Sequence, residues 1–343
     1  MSDLRKDYFT ENLVIIESRR TKRSSQAKGD TDGCEYCPGN EEATLPADLV
    51  LIQKEGSLLK MSDEEGDPIR KWNVRVFREK DAVVRIDPGK SFGDPPRYSE
   101  PAFGYHYVIV ATPDHNNLFS KMDLEQWVNV LVCIQDKARW LYSQKGVSYV
   151  AIYIDNDKSG GDTKTHPHVQ MVSLPRIPPV IEVEANAVHQ SITEFGSCPM
   201  CRVLNIETGG PRQLLATDLF MTLTPWASTN PYEFWIVPKK HQTSILKATQ
   251  IELEDLALAL RCCLGGLAKA LKDPGFTLVL HNSSEKKTTR QIHWHIEVRP
   301  NSSASSGLAL ASGVSVNEVS PEKAAEVLGA ASRKEIATLL GVT

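Results

Sequence analysis

Short runs rich in apolar, β-branched and aromatic residues punctuate the chain, and each predicts a strand. In the first half of the chain the runs cover residues 13–17, 74–77, 105–111, 149–155 and 169–173. In the second half they cover residues 220–223, 233–238, 276–282 and 292–299. The helical period takes over in one long stretch of each half. The first predicts a helix starting near Asp123, with Gln126 in a capping-box relation and a stripe of Leu124, Trp127, Leu131, Ile134, Ala138 and Leu141. The second starts near Thr249 with Glu252 in the same relation, carries Leu253, Leu256, Leu260, Leu264 and Leu267, and stops at Pro274-Gly275. A shorter helix is expected from Ser320-Pro321, with Ser as cap and Pro at the first helical position, and another over residues 332–340. Polar, Ser- and Gly-rich residues 26–33 and 301–307 read as loops. Strands, then a helix, then strands in each half give an α+β fold rather than alternating βαβ units. The boundary between halves falls within residues 180–196, after Pro178-Pro179, giving units of 1–182 and 183–343.

Candidate metal ligands repeat in the same order as the elements. The first half reads Cys34-Glu-Tyr-Cys37, His115, His166-Pro-His168, and the second Cys198-Pro-Met-Cys201, His241, His293-Trp-His295. The middle His and the first His of the His-x-His pair are 51 residues apart in one half and 52 in the other. Cys-x-x-Cys with two distant His is a closed tetrahedral zinc set. The predicted ligands are therefore Cys34, Cys37, His115 and His166 at one site and Cys198, Cys201, His241 and His293 at the other. Zinc is expected at both, with iron as the alternative at the second. Each set leaves one His over, two residues past the last ligand.

At 343 residues the chain can form two domains, or one unit built from two halves. A net charge of −4 argues against nucleic acid as the main partner. The sequence has no apolar run of membrane-spanning length, and Met1-Ser-Asp-Leu-Arg-Lys-Asp lacks a signal-peptide core, so a cytoplasmic location and no membrane partner are expected. There the Cys-x-x-Cys pairs read as metal sites before disulfides, and Cys133, Cys262 and Cys263 read as small helix-borne hydrophobes.

Residues two apart on a strand share a face, so His166 and His168 are expected to project together, with Gln170 next in line. Pro167 cannot donate to a ladder, which indicates an edge strand or a strand start. The preceding Asp157-Lys-Ser-Gly-Gly-Asp-Thr-Lys-Thr165 offers backbone N–H groups and two lysines as a phosphate cradle. A neutral imidazole is a competent nucleophile, so attack of His168 on phosphorus would form a phosphoramidate and split one displacement into two.

The run Thr165-His-Pro-His-Val-Gln170 resembles the active-site motif of galactose-1-phosphate uridylyltransferases, a branch of the histidine-triad superfamily. The likeness spans nearly the whole chain. It includes Arg19-Arg-Thr-Lys-Arg23, Cys34-Glu-Tyr-Cys-Pro-Gly-Asn-Glu41, Trp72-Asn-Val-Arg-Val-Phe77, the block from Gly104 to His115, Tyr232 to His241, and Ile292-His-Trp-His295. It is closest to the subset with two metal sites. The resemblance implies two histidine-triad-like halves, each a mostly antiparallel sheet with a long helix, forming one pseudo-duplicated unit. It implies that His168 attacks the α-phosphorus of a nucleoside-diphosphate sugar and that Gln170 stabilises the nucleotidyl group. Substrate contacts fall on Arg20, Arg23, Arg75, Asn156, Gly161 and Thr163. Nucleotide-sugar and sugar-phosphate substrates and a homodimer are also implied. Two departures bear on specificity. Glu79 stands where the family commonly has an amide near the base or ribose, and Ala309 stands where it has a Glu that reads the sugar.

In the second half His295 and Glu297 occupy the positions of His168 and Gln170. A carboxylate repels an incoming phosphate, so this centre reads as structural. His281 has no assigned role, and His106 and His189 read as ordinary structural histidines. The expected function is uridylyl transfer between UDP-glucose and a hexose 1-phosphate. The alternatives are an adenylyl-transferring phosphorylase acting on ADP-glucose or a dinucleoside polyphosphate, and a zinc-stapled binding protein without enzymatic activity.

Overall fold

The structure is a computed structural model that describes residues 2–17, 33–54, 57–64, 66–90, 93–156, 166–287, 289–301, 307–339 and 341–342. Its centre is one antiparallel sheet of 11 strands. The second half supplies β10 (Gln213–Ala216), β11 (Phe220–Leu223), β12 (Phe234–Pro238), β14 (His295–Pro300) and β13 (Phe276–His281), in that spatial order. The first half continues with β8 (Tyr149–Asn156), β9 (His168–Leu174), β7 (His106–Val110), β5 (Val74–Arg78), β3 (Ala47–Lys54) and β4 (Ser57–Met61). Outward from the β13–β8 junction the two halves repeat one strand order, which is the pseudo-duplication expected from the repeated ligands. A separate three-stranded sheet joins β2 (Leu13–Glu17), β1 (Ser2–Lys6) and β6 (Ser99–Pro101).

One face of the large sheet carries the two long helices, α1 (Leu124–Ser143) and α4 (Gln250–Ala270). Asp123 caps α1 by accepting from the Gln126 N–H, and Thr249 with Glu252 forms a complete capping box on α4. Their stripes pack on Ile109, Ile152, Ile154, Leu278, Leu280 and Ile296 in one continuous core. Each fully buried Leu on this seam, such as Leu131, Leu256 or Leu260, contributes about 1.5–3 kcal/mol. The side chain of Gln135 ties the helices by donating to the carbonyls of Ile245 (2.7 Å) and Ala248 (3.0 Å).

Residues 180–196, where the sequence places the boundary between halves, form α2 (Pro179–Phe195), which lies on the opposite face of the sheet. Pro179 sits at its first turn, so the prolines start a helix here. Ile181 and Ala185 pack on Tyr149 and Ile292. α3 (Pro199–Glu207) follows and packs Leu204 against Met221 and Val237. The C-terminal segment is a six-residue α5 (Gly307–Ser312) and one helix, α6 (Pro321–Leu339), where the sequence suggested two. α6 packs so closely on α4 that a Cβ at Gly266 would lie 2.8 Å from the Ser332 backbone nitrogen.

β9 is an interior strand between β7 and β8. It begins at His168, so Pro167 stands at the entry, where its missing N–H is tolerated. His166 and His293 precede their strands rather than lying on them, and only His168 and His295 belong to the sheet. Along β9, Val169 and Met171 face the helices, while His168 and Gln170 face the other way.

Candidate active site and metal centres

The four predicted ligands of the first set converge. Cys34 Sγ lies 3.8 Å from His166 Nδ1, and Cys37 Sγ lies 3.4 Å from His115 Nδ1 and 3.5 Å from His166 Nδ1. Bonds of about 2.3 Å to sulfur and about 2.0–2.1 Å to nitrogen at a tetrahedral angle give S···N edges of about 3.6 Å. The donor atoms therefore already outline a tetrahedron that fits zinc. His166 Nε2–H donates to the Thr112 carbonyl (2.7 Å), which leaves the Nδ1 lone pair facing the thiols. Burial lowers the His166 pKa to about 4, so the ring is neutral and ready to ligate. Burial and the adjacent Cys34 push the Cys37 thiol up to about 12. A bound cation would reverse that shift by stabilising the thiolate.

The second set repeats the geometry. Cys198 Sγ is 4.0 Å from His293 Nδ1, and Cys201 Sγ is 3.5 Å from His241 Nδ1 and 3.6 Å from His293 Nδ1. His293 Nε2–H donates to the Pro238 carbonyl (2.9 Å), and burial holds its pKa at about 4. Each set is a Cys/His cluster able to hold one metal ion.

His168 follows the first set directly. Its Nδ1–H donates to the carbonyl of the ligand residue His166 (2.8 Å), which puts the lone pair on Nε2. The Tyr36 ring packs 5.3 Å away, centroid to centroid. Gln170, on the same face, is 5% exposed, and its Oε1 accepts from Tyr153 Oη (3.0 Å) and His106 Nε2 (3.2 Å). The arrangement can present one oriented imidazole nitrogen beside one amide donor.

No protein-family model matches the chain. An ADP-glucose phosphorylase of Arabidopsis thaliana is 25% identical over 346 residues, covering 95% of this chain and 92% of that protein. A galactose-1-phosphate uridylyltransferase of Thermotoga maritima is 28% identical over 338 residues, covering 96% and 98%. A solved uridylyltransferase structure superposes with a TM-score of 0.80 at 24% identity, over 97% of this chain and 99% of that one. The Arabidopsis thaliana ADP-glucose phosphorylase with bound ADP-glucose gives 0.73 at 23% identity, over 96% and 99%. Over nearly its whole length the chain is thus similar to galactose-1-phosphate uridylyltransferases and to an ADP-glucose phosphorylase, and it shares their fold.

Against this family frame, the substrate contacts expected from sequence divide into three groups. Arg20, Arg23, Gly161, Thr163 and the 157–165 loop lie outside the described residues. Asn156 ends β8 and pairs with Phe276, and strand alternation puts its neighbour Asp155 on the face of His168. Arg75 requires a correction. It is 2% exposed, and its guanidinium donates to both carboxylate oxygens of Asp63 (3.2 and 2.6 Å) and to the Ile69 carbonyl (3.0 Å). A fork committed this way holds the loop after β4 against β3 and β5 and has no face for a phosphate. Ala309 lies on α5, of which no residue is buried.

Sequence reasoning missed a third cluster. Glu184, His281, His295 and Glu297 bring their ligand atoms within 4.8 Å of one another, a set that could hold a cation. Glu184 accepts from His281 Nδ1 (2.7 Å). Burial opposes protonation of His281, but Glu184 and then Glu297 outweigh it and raise its pKa. Burial raises the Glu297 pKa, yet His295, His281 and Arg299 together bring it down to about 2. This cluster faces the same side of the sheet as His168, and it places the Glu297 carboxylate, paired with His295, His281 and Arg299, where the first half has the neutral Gln170. Glu184 sits on α2 and His281 on β13, so no local signal links them.

Two cavities bear on the site. One of about 710 Å³ lies between the small sheet and the start of α2, far from His168 along β9, and its Lys6, Arg176 and Lys287 are ion-paired with Glu11, Glu100 and Glu182. The other, of about 290 Å³, is bounded by Arg78, Glu79, Arg85, Tyr105 and His106 and so adjoins the residues that hold Gln170. No helix among the described residues is long and apolar enough to cross a membrane.

Proposed function

We propose that this protein transfers a nucleoside monophosphate from a nucleoside-diphosphate sugar to a phosphate-bearing acceptor through a covalent intermediate on His168. The observation that carries this reading is the 2.8 Å hydrogen bond from His168 Nδ1 to the His166 carbonyl, which leaves the lone pair on Nε2, on the strand face that His168 shares with Gln170. In the first step Nε2 attacks the α-phosphorus, a P–N bond forms, the P–O bond to the sugar phosphate breaks, and that oxygen carries away the electron pair. In the second step an acceptor phosphate oxygen attacks the same phosphorus and expels the neutral imidazole. Gln170 donates its amide to a non-bridging phosphoryl oxygen as charge develops. The cavity bounded by Glu79 and His106 takes the nucleoside. Zinc held by Cys34, Cys37, His115 and His166 would fix the backbone that carries His168, and a metal in the second cluster would hold the start of α3 and the entry to β14.

The first substrate pair is UDP-glucose with galactose 1-phosphate, in keeping with the Thermotoga relative. Adenylyl transfer from ADP-glucose is the second reading. It is favoured by the phosphorylase relative, whose likeness covers 95% of the chain. Brief incubation with α-³²P-labelled UDP-glucose and ADP-glucose tests both. Acid-labile, base-stable label on native protein, absent from His168→Asn, is expected, and the donor that labels faster identifies the base. Turnover by His168→Asn above about one per cent of native would mean direct displacement and end the covalent reading, because loss of a nucleophile normally costs several orders of magnitude.

A further inference from the structure

Gln170 can donate to a phosphoryl group only if its amide points one way. A glutamine amide is nearly symmetric in shape, and a half-turn exchanges donor for acceptor. Tyr153 cannot choose between the two, because a phenol both donates and accepts. His106 can. Its Nδ1 faces the backbone N–H of Val83 (3.4 Å), a group that only donates, so Nδ1 must accept and the ring proton must sit on Nε2. That Nε2–H faces Gln170 at 3.2 Å and requires an oxygen there. The amide NH₂ is thereby turned away from both His106 and Tyr153. The polarity of one backbone N–H passes through a ring that is 2% exposed to a side chain that is 5% exposed. Backbone geometry fixes the ring in turn. His106 opens β7, its carbonyl accepts from the Glu79 N–H (2.8 Å), and Gly104 two residues earlier approaches β9 so closely that a Cβ would lie 2.1 Å from the Ser173 carbonyl oxygen.

We propose that His106 is a positioning residue that fixes the donor end of Gln170 toward the reacting phosphoryl group. This rests on the reading of Gln170 as a phosphoryl donor. His106→Phe keeps the bulk and removes the Nε2–H donor. His106→Gln restores a donor near that position. The expected result is a fall of about 10- to 100-fold in the rate of histidine labelling for His106→Phe, below the loss caused by removing a donor outright. KM for the sugar nucleotide should stay within about threefold, and His106→Gln should recover to within about fivefold of native. In a Gln170→Ala background His106→Phe should change the rate by less than about twofold, since two residues acting through one group are not additive. Selective ¹⁵N-histidine NMR of native protein should show the Nε2–H tautomer at His106. Equal losses in His106→Phe and His106→Gln, an undiminished His106→Phe effect without Gln170, or an Nδ1–H tautomer would each overturn the proposal. Should His106→Phe not fold, the tautomer in native protein decides. Should Gln170→Ala label at the native rate, the role of Gln170 under the proposed function falls instead, and the tautomer still decides the polarity.

Discussion

A histidine ring offers two nitrogens, and in this chain backbone carbonyls decide which of them is used. His166 and His293 give Nε2–H to Thr112 and Pro238 and turn Nδ1 to the cysteines. His168 and His295 give Nδ1–H to the carbonyls of His166 and His293, and at His295 the buried Nε2 faces Glu297 (3.5 Å). In the first motif the two adjacent histidines thus have opposite tautomers and separable tasks. His166→Asn should lose about one metal equivalent together with turnover, whereas His168→Asn should lose turnover with metal content unchanged. Elemental analysis beside the labelling assay reads both, and equal metal loss in the two variants would place His168 among the ligands. The two Cys/His clusters were legible because short spacings carry their chemistry, and the first of those spacings also places His168 beside its cluster. His106 and Tyr153 were not, since they reach Gln170 only through the register of β7 and β8 on β9. Arg75 was misread because its burial and its partner Asp63 leave no mark on a short strand motif.

At the scale of elements, what the sequence announced locally was found, and what depends on distant partners was not. α1 and α4 carry capping residues and apolar stripes, so their starts were read to within a residue. α2 begins at a Pro-Pro pair that looks like a break, and its buried face is only Ile181, Ala185 and Val188. β3 and β4 were missed as well, and the edge strand β4 is exposed along its length. The loop after β4 is held by Asp63, which accepts from Ala47 N–H (2.8 Å), Ile69 N–H (3.0 Å) and Arg75. Burial pushes the Asp63 pKa up, but Arg75 and the two N–H groups outweigh it and hold it below the ordinary range. A depressed folded-state pKa means stability that is complete above the unfolded value of about 3.9 and lost as pH falls through the folded value. Asp63→Asn should cost about 3–5 kcal/mol at neutral pH by leaving Arg75 buried and unpaired. Its deficit relative to native protein should begin to shrink below about pH 4, where the unfolded carboxyl takes up its proton, and should vanish only once the pH passes the lower folded-state pKa of Asp63. Urea midpoints of both proteins across this range provide the check, and a deficit that stays constant would show that the charge is not what holds the loop.

The main sheet is built from two similar halves, with a Cys/His cluster in each half and a histidine two residues past each cluster's last ligand. The halves differ where the chemistry would occur. Beside His168 stands the neutral Gln170, and beside His295 stands Glu297, whose charge is held by His295, His281 and Arg299. A negative neighbour deters a phosphate, so the second centre is suited to holding structure and the first to doing chemistry. The two metals should then separate by function. Replacing a thiolate ligand with Ser should reduce metal from about two to about one per chain in either Cys34→Ser or Cys198→Ser, because a closed four-ligand site depends on every ligand. Losing the first metal releases His166, whose carbonyl orients His168, so Cys34→Ser should slow histidine labelling by at least about tenfold. Losing the second releases the start of α3 and the entry to β14, so Cys198→Ser should lower the thermal midpoint while folded protein keeps labelling within about twofold of native. Labelling rates measured per folded chain, beside metal content and melting curves, distinguish the two roles. If Cys198→Ser stops labelling as completely as Cys34→Ser, the second centre takes part in the reaction and the difference between Gln170 and Glu297 does not divide the halves.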